Sequence, residues 1–147
     1  MTPLALLVRT PIDPIALVRV VSNASNGAVI LFLGAVRQLN DGRAVTGIDY
    51  AAYEAMALRE LQAIVTEGAA TFGTLDVAVE HRLGELGVEE ISVGIAVGHP
   101  HRDAAYALSR WIIEELKRRV PIWKREHYAD GAREWVDPSG AAVGAAP

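Results

Sequence analysis

The 147-residue chain contains no cysteine. That excludes disulfides, thiolate metal ligands and a cysteine nucleophile, so any sulfur used in its chemistry must arrive on another molecule. It also lacks an excess of positive charge. With a formal net charge of −4 and an isoelectric point near 5.5, it has no broadly basic surface for nucleic acid, and any anion site must be a local concentration of cations. No apolar run is long enough to span a bilayer, and the apolar start is followed at once by Arg9, Pro11 and Asp13 rather than by a signal-peptide pattern. No membrane association and a cytoplasmic location are therefore expected. Other absences narrow the chemistry. There is no Gly-x-x-x-x-Gly-Lys-Ser/Thr phosphate loop and no Gly-x-Ser-x-Gly elbow. His99 and His101 flank a proline with no further ligand at metal spacing nearby, so neither a metal nor a cofactor is expected.

What is present reads as one globular unit, since 51% of residues are hydrophobic and 22% charged. Residues 4–9 predict a strand. Asp13-Pro14 then predicts the cap and first turn of a short helix reaching about Asn23. Residues 27–36 are apolar on both faces, which predicts a central, buried strand ending in the turn-forming loop 38–42. A strand over 45–53 and a helix over 54–72 follow, the helix turning Met56, Leu61, Ile64 and Val65 inward. Alternation of Leu75, Val77, Val79 and His81 predicts a half-buried strand over 74–82. A glycine-punctuated loop leads to a strand over 91–98. A third helix over 102–119 carries an apolar stripe of Leu108, Trp111, Ile112 and Leu116, and strands over 122–128 and 133–136 meet across Asp130-Gly131. Successive strand pairs imply hairpins, hence an α+β fold with a mixed, largely antiparallel sheet. Residues 1–136 form the expected domain, and the small-residue segment 137–147 is expected to be a flexible tail.

Chemistry concentrates at three element ends. Residues 117–126 hold five basic side chains, Lys117, Arg118, Arg119, Lys124 and Arg125, around a proline. Lys117 closes a helix and Lys124 lies beyond the Pro121 bend, so the two can face one pocket from opposite sides. Arg37 follows the apolar strand. His101 and Arg102 open the third helix, whose free backbone N–H groups attract anions. Arg118, Arg119 and Arg125 read as surface or partner contacts, Trp123 and Phe32 as core in preference to pocket walls, and His81 and His127 as strand residues with satisfied ring nitrogens. The residues alone leave open an enzyme or a module gripping a carboxylate tail. An acyl- or phosphotransferase would lack a nucleophile or metal motif.

Taken in order, Gly34-Ala35-Val36-Arg37, Tyr50-x-x-Tyr53-Glu54, His81-Arg82-x-Gly84, His101-Arg102-x-x-Ala105-Tyr106 and Lys117-x-x-x-Pro121-Ile122-Trp123-Lys124-x-Glu126 resemble the large, catalytic subunit of molybdopterin synthase. Ala51 stands where that family often has glutamate, and Glu89 where glycine is common. The resemblance implies an α/β hammerhead-like core with a small additional β subdomain. It also implies sulfur transfer to cyclic pyranopterin monophosphate, forming the dithiolene of molybdopterin in molybdenum cofactor biosynthesis. The implied donor is a small ubiquitin-like subunit ending in a Gly-Gly thiocarboxylate, and the implied assembly is a homodimer within a heterotetramer. Lys117 and Lys124 match the family's catalytic lysines, and Arg37, His101 and Arg102 its phosphate and pterin pocket.

Overall fold

The computed structural model describes residues 2–136; the tail expected over 137–147 lies outside them. Chain order is β1 (Leu4–Val8), α1 (Pro14–Val21), β2 (Ala28–Ala35), β3 (Leu39–Asn40), β4 (Arg43–Ala52), α2 (Glu54–Phe72), β5 (Val77–Arg82), β6 (Gly84–Gly87), β7 (Ile91–His99), α3 (Arg102–Arg119), β8 (Ile122–Tyr128) and β9 (Arg133–Val136). One sheet has the order β1-β5-β7-β2. The other runs β3-β4-β8-β9, with β6 on the opposite side of β4 from β8. Only β1 and β5 pair in parallel among the described strands, so the fold is α+β and largely antiparallel, as expected.

The first sheet is covered on both faces, and side-chain alternation decides what covers each. Val77 and Val79 of β5, with Val93, Ile95 and Val97 of β7, face a core built with α2 and α3. The intervening Ala78 and Ala96 face α1 through Leu17 and Val21. Small residues let α1 sit close. At Gly98 a Cβ would lie 2.2 Å from the Val21 carbonyl oxygen, so only glycine fits under the end of this helix. Asp13 caps α1 as its sequence suggests, its Oδ1 accepting from the Ile15 and Ala16 amides at 3.0 and 3.3 Å. On the other face Gly68 of α2 admits Leu108 and Trp111 of α3, with hypothetical Cβ distances of 2.8 and 2.9 Å.

Several expectations need correction. β2 is an edge strand, not a central one, because α1 leads the chain to the margin of the sheet beside β7. Its uniform apolarity leaves Val29, Phe32 and Leu33 exposed. β5 is buried on both faces rather than half-buried, and Leu75 lies before it at 59% exposure. Met56 is 59% exposed, on the outer side of the first turn of α2. The segments read as loops at 39–40 and 84–87 are short strands, β3 and β6, recruited as neighbours of β4. Glu89 adopts φ +76°, the left-handed region where glycine is at ease, which costs an L-residue about 1 kcal/mol. That accounts for the glycine expected at this position.

Candidate active site

Helix α3 ends where Pro121 denies it a further turn, and Ile122 resumes as β8. Its last turn carries Lys117, Arg118 and Arg119, complementing the helix dipole. The three cations part company there. Arg119, expected at the surface, is a part-buried clasp to α2, donating from Nε to Glu60 and from a terminal nitrogen to Glu67, each at 2.7 Å. Arg118 pairs with Glu115 one turn back. Lys117 has no carboxylate partner among the described residues, and it lines a cavity of about 230 Å³.

Lys124 and Glu126 line the same cavity because they are two residues apart on β8 and so share a face. The register places them opposite Tyr50 and Ile48 of β4, which also line it. Glu126 is 2% exposed and fully engaged. It accepts from Asn40 Nδ2 at 2.8 and 3.0 Å and from the Tyr128 hydroxyl at 2.7 Å, and Lys124 Nζ lies 3.5 Å away. Burial alone would push this carboxyl up, but the hydrogen bonds from Asn40 and Tyr128 and the charge on Lys124 outweigh it and hold it below the usual carboxylate range. Tyr128 is pushed up to about 12 by burial and by that carboxylate. A carboxylate buried in this way fixes Lys124 in place. By surface area Lys117 is an exposed residue, yet the atoms crowded around its amine lower it, first by desolvation and then by Lys124, a direction that solvent screening weakens. Arg37 and Phe32 also line this cavity. Arg37 is exposed and donates to Asn40 Oδ1 at 3.3 Å. Phe32, expected in the core, is a wall of this cavity at 37% exposure.

His101 and Arg102 lie elsewhere. They line a separate open cleft with Gly27, Pro100 and Asp103, and both are exposed. Arg102 is the first residue of α3 and Lys117 belongs to its last turn. At 1.5 Å per residue the intervening helix separates their backbones by about 22 Å. Within a single protomer the two residues line different cavities. Glu126, Asn40 and Tyr50 are site residues that the sequence reasoning misses. The alternation Lys124-x-Glu126 on a strand is the signal that one acid shares the lysine's face.

The arrangement has known counterparts. Residues 7–119 match the family model described as MoaE protein. The molybdopterin synthase catalytic subunit of Nostoc sp. is 43% identical over 115 residues, 78% of this chain and 70% of that protein. The chain belongs to this family. It is accordingly an enzyme of the molybdopterin synthase catalytic-subunit type. The counterpart in Pyrococcus abyssi is 39% identical over 82% of this chain and 80% of its own length. The Emericella nidulans counterpart is 43% identical over 84% of this chain, which spans 64% of that longer protein. Among solved structures, molybdopterin synthase from Staphylococcus aureus superposes with a TM-score of 0.83 at 35% identity, covering 88% of this chain and 93% of that one. No helix among the described residues is long and apolar enough to cross a membrane.

Proposed function

We propose that this chain transfers sulfur from the C-terminal thiocarboxylate of a small ubiquitin-like carrier to cyclic pyranopterin monophosphate, building the molybdopterin dithiolene in the cytoplasm. The observation that carries this reading is the convergence of Lys117, Lys124 and Arg37 on one cavity with a buried, fully hydrogen-bonded carboxylate, in a chain with no cysteine. Both reactants are anions, and the cavity gathers cations. The sulfur comes with the carrier, so no thiol is needed here.

In this reading Lys117 is the group that moves protons. Desolvation and Lys124 bring its amine closer to neutrality, where it assists thiocarboxylate attack and opening of the cyclic phosphate. Lys124, tethered to Glu126, stays in place and holds the intermediate. Arg37 offers a planar pair of donors to phosphate. His101 and Arg102 keep their anion-binding role by serving the cavity of a second copy. The homodimer at the centre of a heterotetramer reconciles two cation clusters with a helix that holds them about 22 Å apart. Residues 1–136 act as the one catalytic unit. In Helicobacter pylori a chain of this fold, with a TM-score of 0.69 and 21% identity, is part of a complex of subunits 1 and 2 of a molybdopterin-converting factor.

The test is reconstitution. Purified protein and precursor alone should give no product, and adding thiocarboxylated carrier should start turnover. Two carriers should be consumed per dithiolene. Carrier with an ordinary carboxylate should bind without reacting. Binding of both forms with no chemistry would point instead to a module that grips the carrier's tail.

A further inference from the structure

His81 continues the inward row of Val77 and Val79 on β5, at a position where a third valine would complete an ordinary core. It is 3% exposed. Its Nδ1 lies 2.8 Å from the Arg82 carbonyl oxygen. A carbonyl only accepts, so Nδ1 carries the proton and the neutral ring presents a lone pair at Nε2. The ring packs against Tyr50 in a T-shaped pair, with centroids 5.2 Å apart and planes at 74°.

Nε2 has no protein partner among the described residues. It is not sealed either, because the one enclosed side-chain polar atom without a partner there is Arg82 Nε. Beside the ring is a chamber of about 30 Å³ that His81 lines together with Tyr50, Leu116, Lys117, Val120, Ile122 and Lys124, a volume with room for one water. Tyr50, Lys117 and Lys124 also line the larger cavity, so the chamber is its inner annex.

We propose that His81 is a positioning residue for Lys117. Its Nε2 accepts a hydrogen bond from the lysine head across this chamber, through a single water, and so aims the remaining N–H groups at the larger cavity. The proposal rests on the reading that Lys117 performs the chemistry. Around the imidazole stand Tyr50 from β4, Lys117 from α3 and Lys124 from β8. No carboxylate lines the chamber, so nothing there favours an imidazolium. Burial first, and the Lys117 charge after the opposing Arg82 bond, lower His81 to about 4. The ring therefore remains an acceptor at neutral pH. A protonated His81 would have no lone pair to offer and would repel the lysine.

The test uses the full-length chain and two variants. His81→Gln keeps an acceptor near Nε2, and His81→Leu removes it. A hydrogen bond to the ammonium form favours that form, so its loss should lower the titration midpoint of Lys117 by about one pH unit in the Leu variant, followed through the Lys117 Cε resonance without substrate. The pH–rate limb in single-turnover sulfur transfer should move by the same amount. On the plateau of that profile, where the protonation state of Lys117 no longer limits the rate, turnover should fall about tenfold with precursor affinity within about twofold, and His81→Gln should recover most of it. Equal loss in both variants with an unmoved midpoint would mean that His81 only fills space, and would overturn the proposal. If the Leu variant does not fold, imidazole nitrogen spectra of the wild type decide. They should show the Nδ1–H tautomer at neutral pH and an Nε2 resonance that moves in Lys117→Met. An Nε2–H tautomer or an unmoved resonance would refute it. These spectra need no turnover, so they test the role of His81 even where sulfur transfer fails.

Discussion

The two ends of α3 carry similar charges in very different surroundings. At the N-terminal end, His101 and Arg102 are exposed beside an open cleft. The nearest organised group is His99, whose Nδ1 accepts the His101 amide at 2.9 Å while its Nε2 donates to the Phe72 carbonyl at 2.8 Å. That network shapes backbone and gives neither the His101 ring nor the Arg102 guanidinium a side-chain partner among the described residues. At the C-terminal end, side chains from β2, β4, α3 and β8 converge, and a buried carboxylate holds one lysine while the other has no carboxylate partner among the described residues. Precise chemistry needs groups whose positions are fixed by their neighbours, whereas capture of a phosphate needs mainly charge and reach. Under the proposed function, reaction belongs to the lysine end and substrate capture to the other.

Four substitutions sharpen or break that division. Lys117→Ala should lower sulfur transfer by about 10²–10⁴-fold, measured as single-turnover rate, with the melting temperature nearly unchanged. A loss confined to KM would move the chemistry away from the lysine end. Glu126→Ala should lower stability by about 3 kcal/mol in denaturant titration, because Asn40 and Tyr128 lose their acceptor and Lys124 its counter-charge. A surface-like change below about 0.5 kcal/mol would show that the carboxylate organises nothing.

His81 gives the lysine end a pH signature. Its folded value, about 4, lies below the ordinary 6.5, so between those values the unfolded chain binds more protons. Its contribution is complete above pH 6.5 and is lost as pH falls toward 4, up to about 3 kcal/mol. His81→Gln should flatten that part of the stability curve, and an unchanged slope would contradict the burial of a neutral imidazole. Arg102→Ala, at the other end, should weaken precursor binding by about tenfold in calorimetry and leave the rate at saturation almost intact.

Much of this was legible in the sequence, for identifiable reasons. Asp13-Pro14, the glycine after Phe72 and the proline after α3 are local signals, and each of the three helices begins or ends where its signal falls. The convergence of Lys117 and Lys124 on one cavity was visible because proline and a helix end act over a few residues. The placement of β2 was not, since edge and centre depend on which strands pair, and an apolar edge that another surface can cover reads like a central strand. The same gap put Phe32 in the core instead of on the cavity wall. Which copy of the chain Arg102 serves was not legible, because a resemblance groups residues into a pocket without saying which protomer supplies each; the 1.5 Å rise over residues 102–117 separates Arg102 from Lys117 along one helix.

Subunit complementation tests the division of labour most directly. Lys117→Ala and Arg102→Ala proteins, each impaired alone, are mixed under conditions that exchange protomers, and sulfur transfer is measured at subsaturating precursor. If Arg102 serves the neighbouring copy, each mixed dimer contains one cavity with both native groups, so about a quarter of all sites should regain full activity after random exchange. If both groups serve the same cavity within one protomer, no mixed dimer contains an intact site. Activity would then stay at the sum of the separate variants, which would contradict the account.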